Sequence, residues 1–472
     1  MQNKADPELQ GARAAEHASA QTGSTNQFAL LRTRRFLPLF LVQFLGAFND
    51  QVYQKAFVAL VTYRLADDLE TPIALLGVIA SALFILPFAI VTPTAGQIAD
   101  RMDKAKMMRW VKAWEIVVMG LAVIGYHTQN IYFLYFVLFL MGAQSAMFAP
   151  IKYSVLPQYL APRELVGGNG LVQGSTFLAI IFGTILGNEL ILTESGVTIV
   201  SIIVVAVAVI GFIAALKAPA APPAPGHEAT PIDWVFPRAI WQLIARIAKN
   251  RPAFRTLFFI SWFWFLGATF LSLLPAFAKE VLGADEGVLT VLLAAFSVGV
   301  AIGALASEKL AGGRDPICVP PYGALGMGIM AIELWLATPA SPPPDLLDRA
   351  AFFADPAGWR ILADFVLIAA FAGAYVTPLN AILQREAEED ARGQYIAASN
   401  VIDASFIVLS AAVVGVLVAL GLRADGVLAV LTLSGLPMAL IVARFAPQTH
   451  LGRAALTVWP RHPNPDFPPG TP

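Results

Sequence analysis

Residues 36–64 read FLPLFLVQFLGAFNDQVYQKAFVALVTYR, an apolar run with two polar residues, Asn49 and Asp50, at its midpoint. About 20 predominantly apolar residues in a helix span the hydrocarbon core of a bilayer, so the run predicts a transmembrane helix. Asp50 then lies near the bilayer centre, where an ionisable side chain is costly and is a candidate for function. At about 100° per residue, one stripe of this helix comprises Gln43, Gly46, Asp50, Tyr53 and Gln54. Such a stripe faces other helices or a watered cavity rather than lipid.

The remainder of the chain has the same apolar character. Hydrophobic residues make up 57% of the 472 positions and charged residues 13%, with a mean hydropathy of +0.67. Soluble domains carry about 25% charged residues. Segments of sufficient length and apolarity form two sets of six: 36–63, 73–95, 107–126, 131–153, 169–192 and 196–216, then 254–280, 287–310, 318–337, 360–381, 394–421 and 426–446. The sequence therefore predicts an all-α membrane protein with twelve transmembrane helices.

A long polar loop divides the chain into two halves. The predicted organisation is a disordered tail (1–30), a six-helix bundle (31–216), a central loop (217–252), a second six-helix bundle (253–446) and a disordered tail (447–472). If both termini are cytoplasmic, 25 of the 31 Lys and Arg residues lie on the cytoplasmic side, as the positive-inside rule requires. In the central loop Trp234, Trp241 and Ile247 alternate with Arg238 and Arg246, which predicts a basic amphipathic helix on the inner leaflet. The alternative is a loop that only tethers the two halves.

Polar side chains inside the predicted spans are the candidate substrate contacts. They are Asn49, Asp50, Gln54, Lys55, Lys152, Asn169, Asn380, Asn400 and Asp403. Lys55 lies about 140° from Asp50 around the helix, so each is expected to find its partner on another helix. An ion pair that only fixes helix packing is the alternative for these two residues. Lys152 stands between Pro150 and Pro157, which are expected to break the helix around it; it either meets a phosphate or extends to the interface.

The two halves repeat one pattern. FAPIKYSVLPQ (148–158) is followed by Asn169, and VTPLNAILQ (376–384) is followed by Asn400. Parallel internal repeats are typical of two-half transporters whose binding site lies between the halves near the bilayer midplane. The repeat therefore indicates a transporter.

The loop after the second span, GQIADRMDKAK (96–106), resembles the signature G-x-x-x-D-R-x-G-R-R/K loop of the major facilitator superfamily. It departs by having Asp103 at the internal glycine position, and the second-half copy, GALASEKLAGGR (303–314), is degraded. The resemblance implies two pseudo-symmetric six-helix bundles with cytoplasmic termini. It also implies a gating role for Gly96, Asp100 and Arg101.

Four segments, 43–64, 96–116, 148–187 and 375–406, resemble the bacterial lysophospholipid transporter family more closely. The resemblance implies a flippase that moves lysophospholipids from the outer to the inner leaflet of the bacterial inner membrane by alternating access. Asp50 and Lys152 would then meet the zwitterionic headgroup, with Asn49 and Asn400 assisting. Some members carry an arginine early in the seventh span, where this sequence has GATFLSLLP (267–275), so a headgroup scheme that uses that arginine does not apply unchanged.

Two other classes of protein are alternatives. A proton-coupled antiporter for drugs or small amphiphiles also has an acid in the first span, and Gly174, Gly183 and Gly187 resemble its glycine motif without the Gly-Pro step. A membrane-bound enzyme is disfavoured because the chain has no H-x-x-x-x-D pair, phosphate-cradling loop or histidine cluster. We therefore expect no metal or cofactor, and any acyltransferase that acts on the product is expected to be a separate protein. The net charge of −1 gives no reason to expect nucleic acid.

Overall fold

The structure, a computed structural model, describes residues 26–61, 73–223, 232–233, 236–339 and 347–458, and no β-strand forms within these ranges. The first half contains α1 (Leu37–Leu60), α2 (Ile73–Arg101), α3 (Lys104–Thr128), α4 (Ile131–Ser154), α5 (Leu165–Ile191) and α6 (Gly196–Leu216). The remaining helices are α7 (Phe236–Lys249), α8 (Arg251–Ala276), α9 (Glu286–Ala311), α10 (Pro320–Ala337), α11 (Pro356–Glu386), α12 (Arg392–Ala419), α13 (Ala424–Thr432), α14 (Gly435–Ala443) and α15 (His450–Val458). Short helical segments lie at Gln27–Arg32, Leu156–Tyr159, Pro162–Glu164, Phe277–Val281, Pro316–Cys318 and Arg349–Ala354.

The two halves pack their helices in the same order. In the first half α1 packs on α5 and α6, α2 on α4, and α3 on α4 and α6. In the second half α8 packs on α12 and α13, α9 on α11, and α10 on α11 and α14. The broken pair α13–α14 therefore takes the place of α6, and the halves are pseudo-symmetric. They meet along two seams: α2 against α12, and α5 against α9 and α11.

Two glycines bring α5 against the backbone of α1. A Cβ on Gly183 would lie 2.8 Å from the carbonyl oxygen of Phe48, and a Cβ on Gly187 would lie 2.7 Å from that of Val52. Real side chains essentially never approach backbone so closely, so glycine is required at both positions for this contact. Helices with small residues at the interface pack closely inside membranes. The contact fixes α1, and with it Asp50, relative to α5.

Ten of the described helical segments are long and apolar enough to cross a membrane, with α13 and α14 together forming one of them. The helices α1 and α3 have 24 and 25 residues, so they are long enough, but their polar side chains lower their apolarity. Large apolar side chains such as Ile202, Val408 and Val416 are more than half exposed, as expected where lipid is the solvent. The chain is a multi-pass membrane protein; the count of twelve spans and the cytoplasmic termini stay predictions.

The last predicted span, 426–446, is broken rather than continuous. The helix stops at Thr432 and resumes at Gly435. Pro437 follows the break, and its ring clashes with the carbonyl four residues earlier, at Leu433. The hydroxyl of Ser434 donates to the carbonyl of Leu431, and it accepts a 3.0 Å hydrogen bond from the indole of Trp262 in α8.

Helical structure also extends into both predicted tails. The turn Gln27–Arg32 begins before residue 31; Asn26 caps it by accepting the backbone N–H of Phe28 at 3.1 Å, and Leu30 is buried. At the other end α15 lies within 447–472, and the hydroxyl of Thr449 accepts the backbone N–H of Gly452. Most of the first tail and residues 459–472 lie outside the described residues.

Candidate functional site

Asp50 is partly buried and faces α4. The hydroxyl of Ser145 donates to its Oδ2 at 2.6 Å and also lies 3.1 Å from Oε1 of Gln144. The cations of Lys112 and Lys152 are within electrostatic range of the carboxylate. Asp50 therefore has a neutral hydrogen-bond partner on another helix, and no direct ion pair with a described residue is formed.

A buried ion pair lies behind Asp50. Nζ of Lys112 is 2.5 Å from Oε2 of Glu115, and both side chains are at most 2% exposed. The amides of Asn49 and Gln144 each donate to the same carboxylate at 3.0 Å. A buried pair is tolerated only when its remaining hydrogen-bonding capacity is satisfied, and here three donors surround one carboxylate. Asn49 is fully buried, so this predicted substrate residue is turned into the ion pair and away from any open cavity.

The lysine of this pair was not among the residues predicted from the sequence. Lys112 lies near the start of the third span and is therefore one of the 25 Lys and Arg residues predicted to lie on the cytoplasmic side. In the structure its side chain is completely buried. The sequence signal that could have revealed it is the spacing Lys112-x-x-Glu115, because residues three apart are neighbours on a helix. An apolar helix with such a spacing can neutralise its own charges.

Lys152 lies on the same helix as Ser145, two turns further along. Its ammonium is 4.9 Å from the ring centre of Tyr153 and within electrostatic range of Asp50. The expectation that Pro150 breaks the helix around it is wrong, because α4 runs through Pro150 and ends at Ser154. Neighbouring helices in a bundle can satisfy the backbone that an internal proline leaves free.

Two further candidates on α1 lie apart from this cluster. Lys55 and Gln54 are partly buried, and neither forms a hydrogen bond or ion pair with another described residue. The stem of Lys55 lies beside Gly187 of α5. A substrate role for these two residues stays a prediction.

The three second-half candidates come together in one small cavity. Its volume is about 30 Å³, enough for about two water molecules. Its lining comprises Asn380, Asn400 and Asp403 with Tyr153, Gln173, Ile260, Trp264, Val376, Ile396 and Ser399. Asp403 accepts the hydroxyls of Ser261 at 2.6 Å and Ser399 at 3.2 Å. Because Tyr153 and Gln173 belong to the first half, the cavity lies between the halves.

At the first seam, a carboxylate of α2 caps the N-terminus of α12. Asp100 accepts the backbone N–H groups of Gly393 at 2.6 Å and Gln394 at 3.0 Å, and the side-chain amide of Gln394 at 3.3 Å. The first N–H groups of a helix have no partner within it, and its N-terminus attracts negative charge. A Cβ on Gly96 would lie 2.7 Å from the carbonyl oxygen of Gly393, so the glycine permits this approach. Asp100 and Gly96 therefore join the two halves.

The third predicted gating residue has a different environment. Arg101 is partly buried, and its Nη1 has no hydrogen-bond partner among the described residues. Lys104 is buried within electrostatic range of Asp100. A gating role for Arg101 stays a prediction.

Neutral amides close the second seam. Asn169 of α5 and Gln384 of α11 exchange two hydrogen bonds, of 2.8 and 2.9 Å, and both side chains are buried. Nearby, the amide of Gln27 donates to the carbonyl of Leu305 in α9 at 2.6 Å. Asn169 was predicted as a substrate contact, but its amide is fully engaged between the halves.

These contacts share one end of the bundle. Among the described residues, the hydrogen bonds between the two bundles form two groups. At the first seam they lie where α2 ends and α12 begins. At the second seam they lie where α5 begins and where α9 and α11 end. This is the end predicted to face the cytoplasm. The halves are therefore closed together at that end in this conformation.

A family model described as Major Facilitator Superfamily matches residues 39–411, and the chain belongs to this family. The predicted fold class is confirmed, and the chain is a transporter of this type. Its relatives include the "Lysophospholipid transporter LplT" of Pectobacterium carotovorum subsp. carotovorum (strain PC1), 27% identical over 399 residues, which cover 83% of this chain and 88% of the relative. The LplT of Escherichia coli O1:K1 / APEC is 25% identical over 423 residues, covering 89% and 94%.

Two solved transporter structures have the same fold. The transporter FucP, in its outward conformation, matches with a TM-score of 0.64 at 16% identity and covers 88% of this chain and 100% of its own. A bacterial homologue of the iron transporter ferroportin, in an outward-facing state, matches with a TM-score of 0.62 at 14% identity, covering 87% and 98%. At these identities the likeness extends to the fold alone.

Proposed function

We propose that the chain is a lysophospholipid flippase, which moves lysophospholipids from the outer to the inner leaflet of the bacterial inner membrane by alternating access. The names of its sequence relatives support the substrate class. The small cavity between two pseudo-symmetric halves, with Asn380, Asn400 and Asp403 in its lining, supports the transport mechanism.

The observation that carries the proposal is the placement of opposite charges, Asp50 on α1 and Lys152 on α4, near each other inside the bundle. Asp50 is held by Ser145, and Lys152 lies within electrostatic range of it without a direct ion pair. A lysophosphatidylethanolamine headgroup carries an ammonium and a phosphate. Asp50 would accept the ammonium and Lys152 would meet the phosphate, so the headgroup satisfies both charges inside the bilayer.

The second half would complete the site when the halves move. Asn380, Asn400 and Asp403 line the cavity between the halves, and the amide nitrogen of Asn400 is buried without a hydrogen-bond partner among the described residues. A polar headgroup would supply an acceptor for that nitrogen. The cavity holds only about two water molecules in this conformation, so a headgroup would enter only with movement of the halves.

Closure at the end predicted to face the cytoplasm supports the step of the cycle that receives substrate from the outer leaflet. Release to the inner leaflet would require the seams at Asp100 and at Asn169 to open. The product would be a lysophospholipid in the inner leaflet, and we propose that a separate acyltransferase restores its missing chain.

The test is flipping of fluorescently labelled lysophosphatidylethanolamine by purified protein in proteoliposomes. Asp50→Ala is expected to reduce the rate by at least ~30-fold, because losing one partner of a desolvated charge pair costs about 2 kcal/mol or more. Glu389→Gln, which changes an exposed surface carboxylate, serves as the matched control and is expected to flip normally. Normal flipping by a folded Asp50→Ala variant would refute the assignment.

Substrate comparison separates this proposal from the antiporter alternative. The wild type should move the lysophospholipid but not a diacyl phospholipid or a cationic dye. Dye uptake accompanied by proton release would instead identify a proton-coupled antiporter.

A further inference from the structure

We propose, whichever molecule is carried, that one face of α7 binds the anionic phospholipid surface of the membrane and that this contact favours opening of the first seam. We call this face, formed by Arg238, Trp241, Gln242, Ala245, Ala248 and Lys249, the outer face of α7. All six of these side chains are exposed, Trp241 to 74%.

The apolar side of α7 is already occupied by protein. Leu243 and Ile247 are buried, and α7 packs on α2 and α12. The amphipathic pattern predicted from the sequence therefore covers the first seam instead of lying in lipid. The outer face, about 180° away, combines one tryptophan with two basic residues and small alanines. Arg238 lies 3.3 Å from the carboxylate of Asp233, yet its side chain stays 70% exposed. Tryptophan prefers the membrane interface, and basic residues are attracted to anionic lipid headgroups.

Chain connectivity places the outer face at the depth of the headgroups. Only Asn250 separates α7 from α8, and the apolar run of α8 begins at Leu257, after Arg255 and the first turn, residues 251–254. Arg251 in that turn is exposed and adds a third positive charge, two residues after Lys249. Basic residues next to the cytoplasmic end of a membrane span are typical contacts of anionic lipids.

The segment that carries α7 is attached to both halves of the transporter. On the first half, Gln97 of α2 exchanges hydrogen bonds of 3.0 and 3.4 Å with the backbone of Asp233. On the second half, Arg246 bonds to Glu388 at 2.6 Å and to Asp390 at 3.0 Å, just before α12 begins. The segment therefore crosses the first seam beside the contact that Asp100 makes with α12.

Opening the seam must release one of these two attachments. Two neutral hydrogen bonds hold the segment to Gln97. On the second half, Arg246 pairs with two carboxylates, and Asn250 alone joins α7 to α8. Asn250 adds a 2.9 Å hydrogen bond to the carbonyl of Glu386, again on the second half. We therefore expect α7 to stay with the second half and to leave α2. Attraction of the outer face to anionic lipid would help it to leave.

The first experiment measures opening of the seam directly. Spin labels are attached to Met102→Cys and Glu389→Cys, both exposed, in a Cys318→Ser background, and their distance is measured in vesicles. Phosphatidylcholine mixed with phosphatidylglycerol should give a larger fraction of long distances than phosphatidylcholine alone. Equal distributions in the two lipids would overturn the proposal.

Charge variants test the surface involved. Adding Arg238→Gln and Lys249→Gln to the labelled protein should abolish most of the lipid response, because each basic residue contributes about a fivefold change in binding to an anionic surface. The matched control, Lys279→Gln with Arg349→Gln, removes two exposed charges at the opposite end of the bundle, away from the first seam, and should leave the response intact. An equal loss in both variants would overturn the assignment to α7.

A second probe tests contact with lipid without relying on movement. An environment-sensitive fluorophore on Trp241→Cys should shift to the blue when phosphatidylglycerol is added, and high salt should reverse the shift. The same label on Glu389→Cys, which is exposed between the acidic residues Glu388 and Asp390, should not shift. No shift at position 241 would overturn the proposal, and none of these measurements depends on transport of lysophospholipid.

Discussion

The buried pair of Lys112 and Glu115 can be tested by removing its charges singly and together. Lys112→Met leaves the Glu115 carboxylate with two amide donors and no counter-charge, and Glu115→Gln leaves a buried ammonium. Removing one partner of a buried ion pair typically costs about 3–5 kcal/mol, because the other charge stays uncompensated. Each single variant is therefore expected to be strongly destabilised.

The double variant should recover most of that loss. Methionine is flexible enough to fill the space of the lysine stem beside Gly46 and Phe148. The amide that replaces the Glu115 carboxylate can still accept from one neighbouring amide, so about one hydrogen bond, ~1 kcal/mol, is lost. Two independent changes would instead cost about 6–10 kcal/mol together.

The assay is unfolding of the purified protein in mixed detergent micelles, followed by circular dichroism, with all four proteins measured in parallel. Asp425→Asn serves as a control, because it changes an ion pair with the partly exposed Arg423. The reasoning is refuted if the single variants are within ~1 kcal/mol of the wild type, or if the double variant is no more stable than the worse single variant.

Three further variants test the seams and the helix contact. Asp100→Asn should favour opening of the predicted cytoplasmic end by about 2–4 kcal/mol, because it removes a charge from the N-terminus of α12 and leaves one N–H without an acceptor. The distance between labels on either side of the first seam measures this opening. Each single replacement at the second seam, Asn169→Leu or Gln384→Leu, should destabilise the closed state more than the two together. The double replacement leaves no buried amide without a partner. Accessibility of a cysteine at the predicted cytoplasmic end measures the difference. Gly187→Val should reduce stability by more than ~2 kcal/mol, because its side chain would meet the backbone of α1; thermal unfolding checks this.

The helices could be predicted well because lipid demands long apolar runs. The sixth span, 196–216, coincides with α6, and most other ends differ by a few residues. The prolines could not be assigned in the same way. Pro150 lies inside a continuous helix, whereas Pro437 follows a break. Which outcome occurs depends on side chains of other helices that pack at the proline. At the break before Pro437 such a side chain is Trp262, whose hydrogen bond to Ser434 joins residues that are distant in sequence.

The site was predicted only in part, for geometric reasons. Adjacent helical residues point about 100° apart, so Asn49 and Asp50 face different neighbouring helices. Asp50 faces α4, and Asn49 is turned to Glu115. The partner of Asn169 is 215 residues away, at Gln384, and no local pattern indicates it.

The close approach of α1 and α5 at Gly183 and Gly187 has a practical use. Because no side chain separates the two backbones, these helices cannot slide past each other without losing the contact. A pair of labels on α1 and α5 would therefore serve as an internal ruler whose length stays constant through the cycle. Any change measured from α1 to the second half can then be read as rotation of a rigid body, so that Asp50 travels with the whole first half.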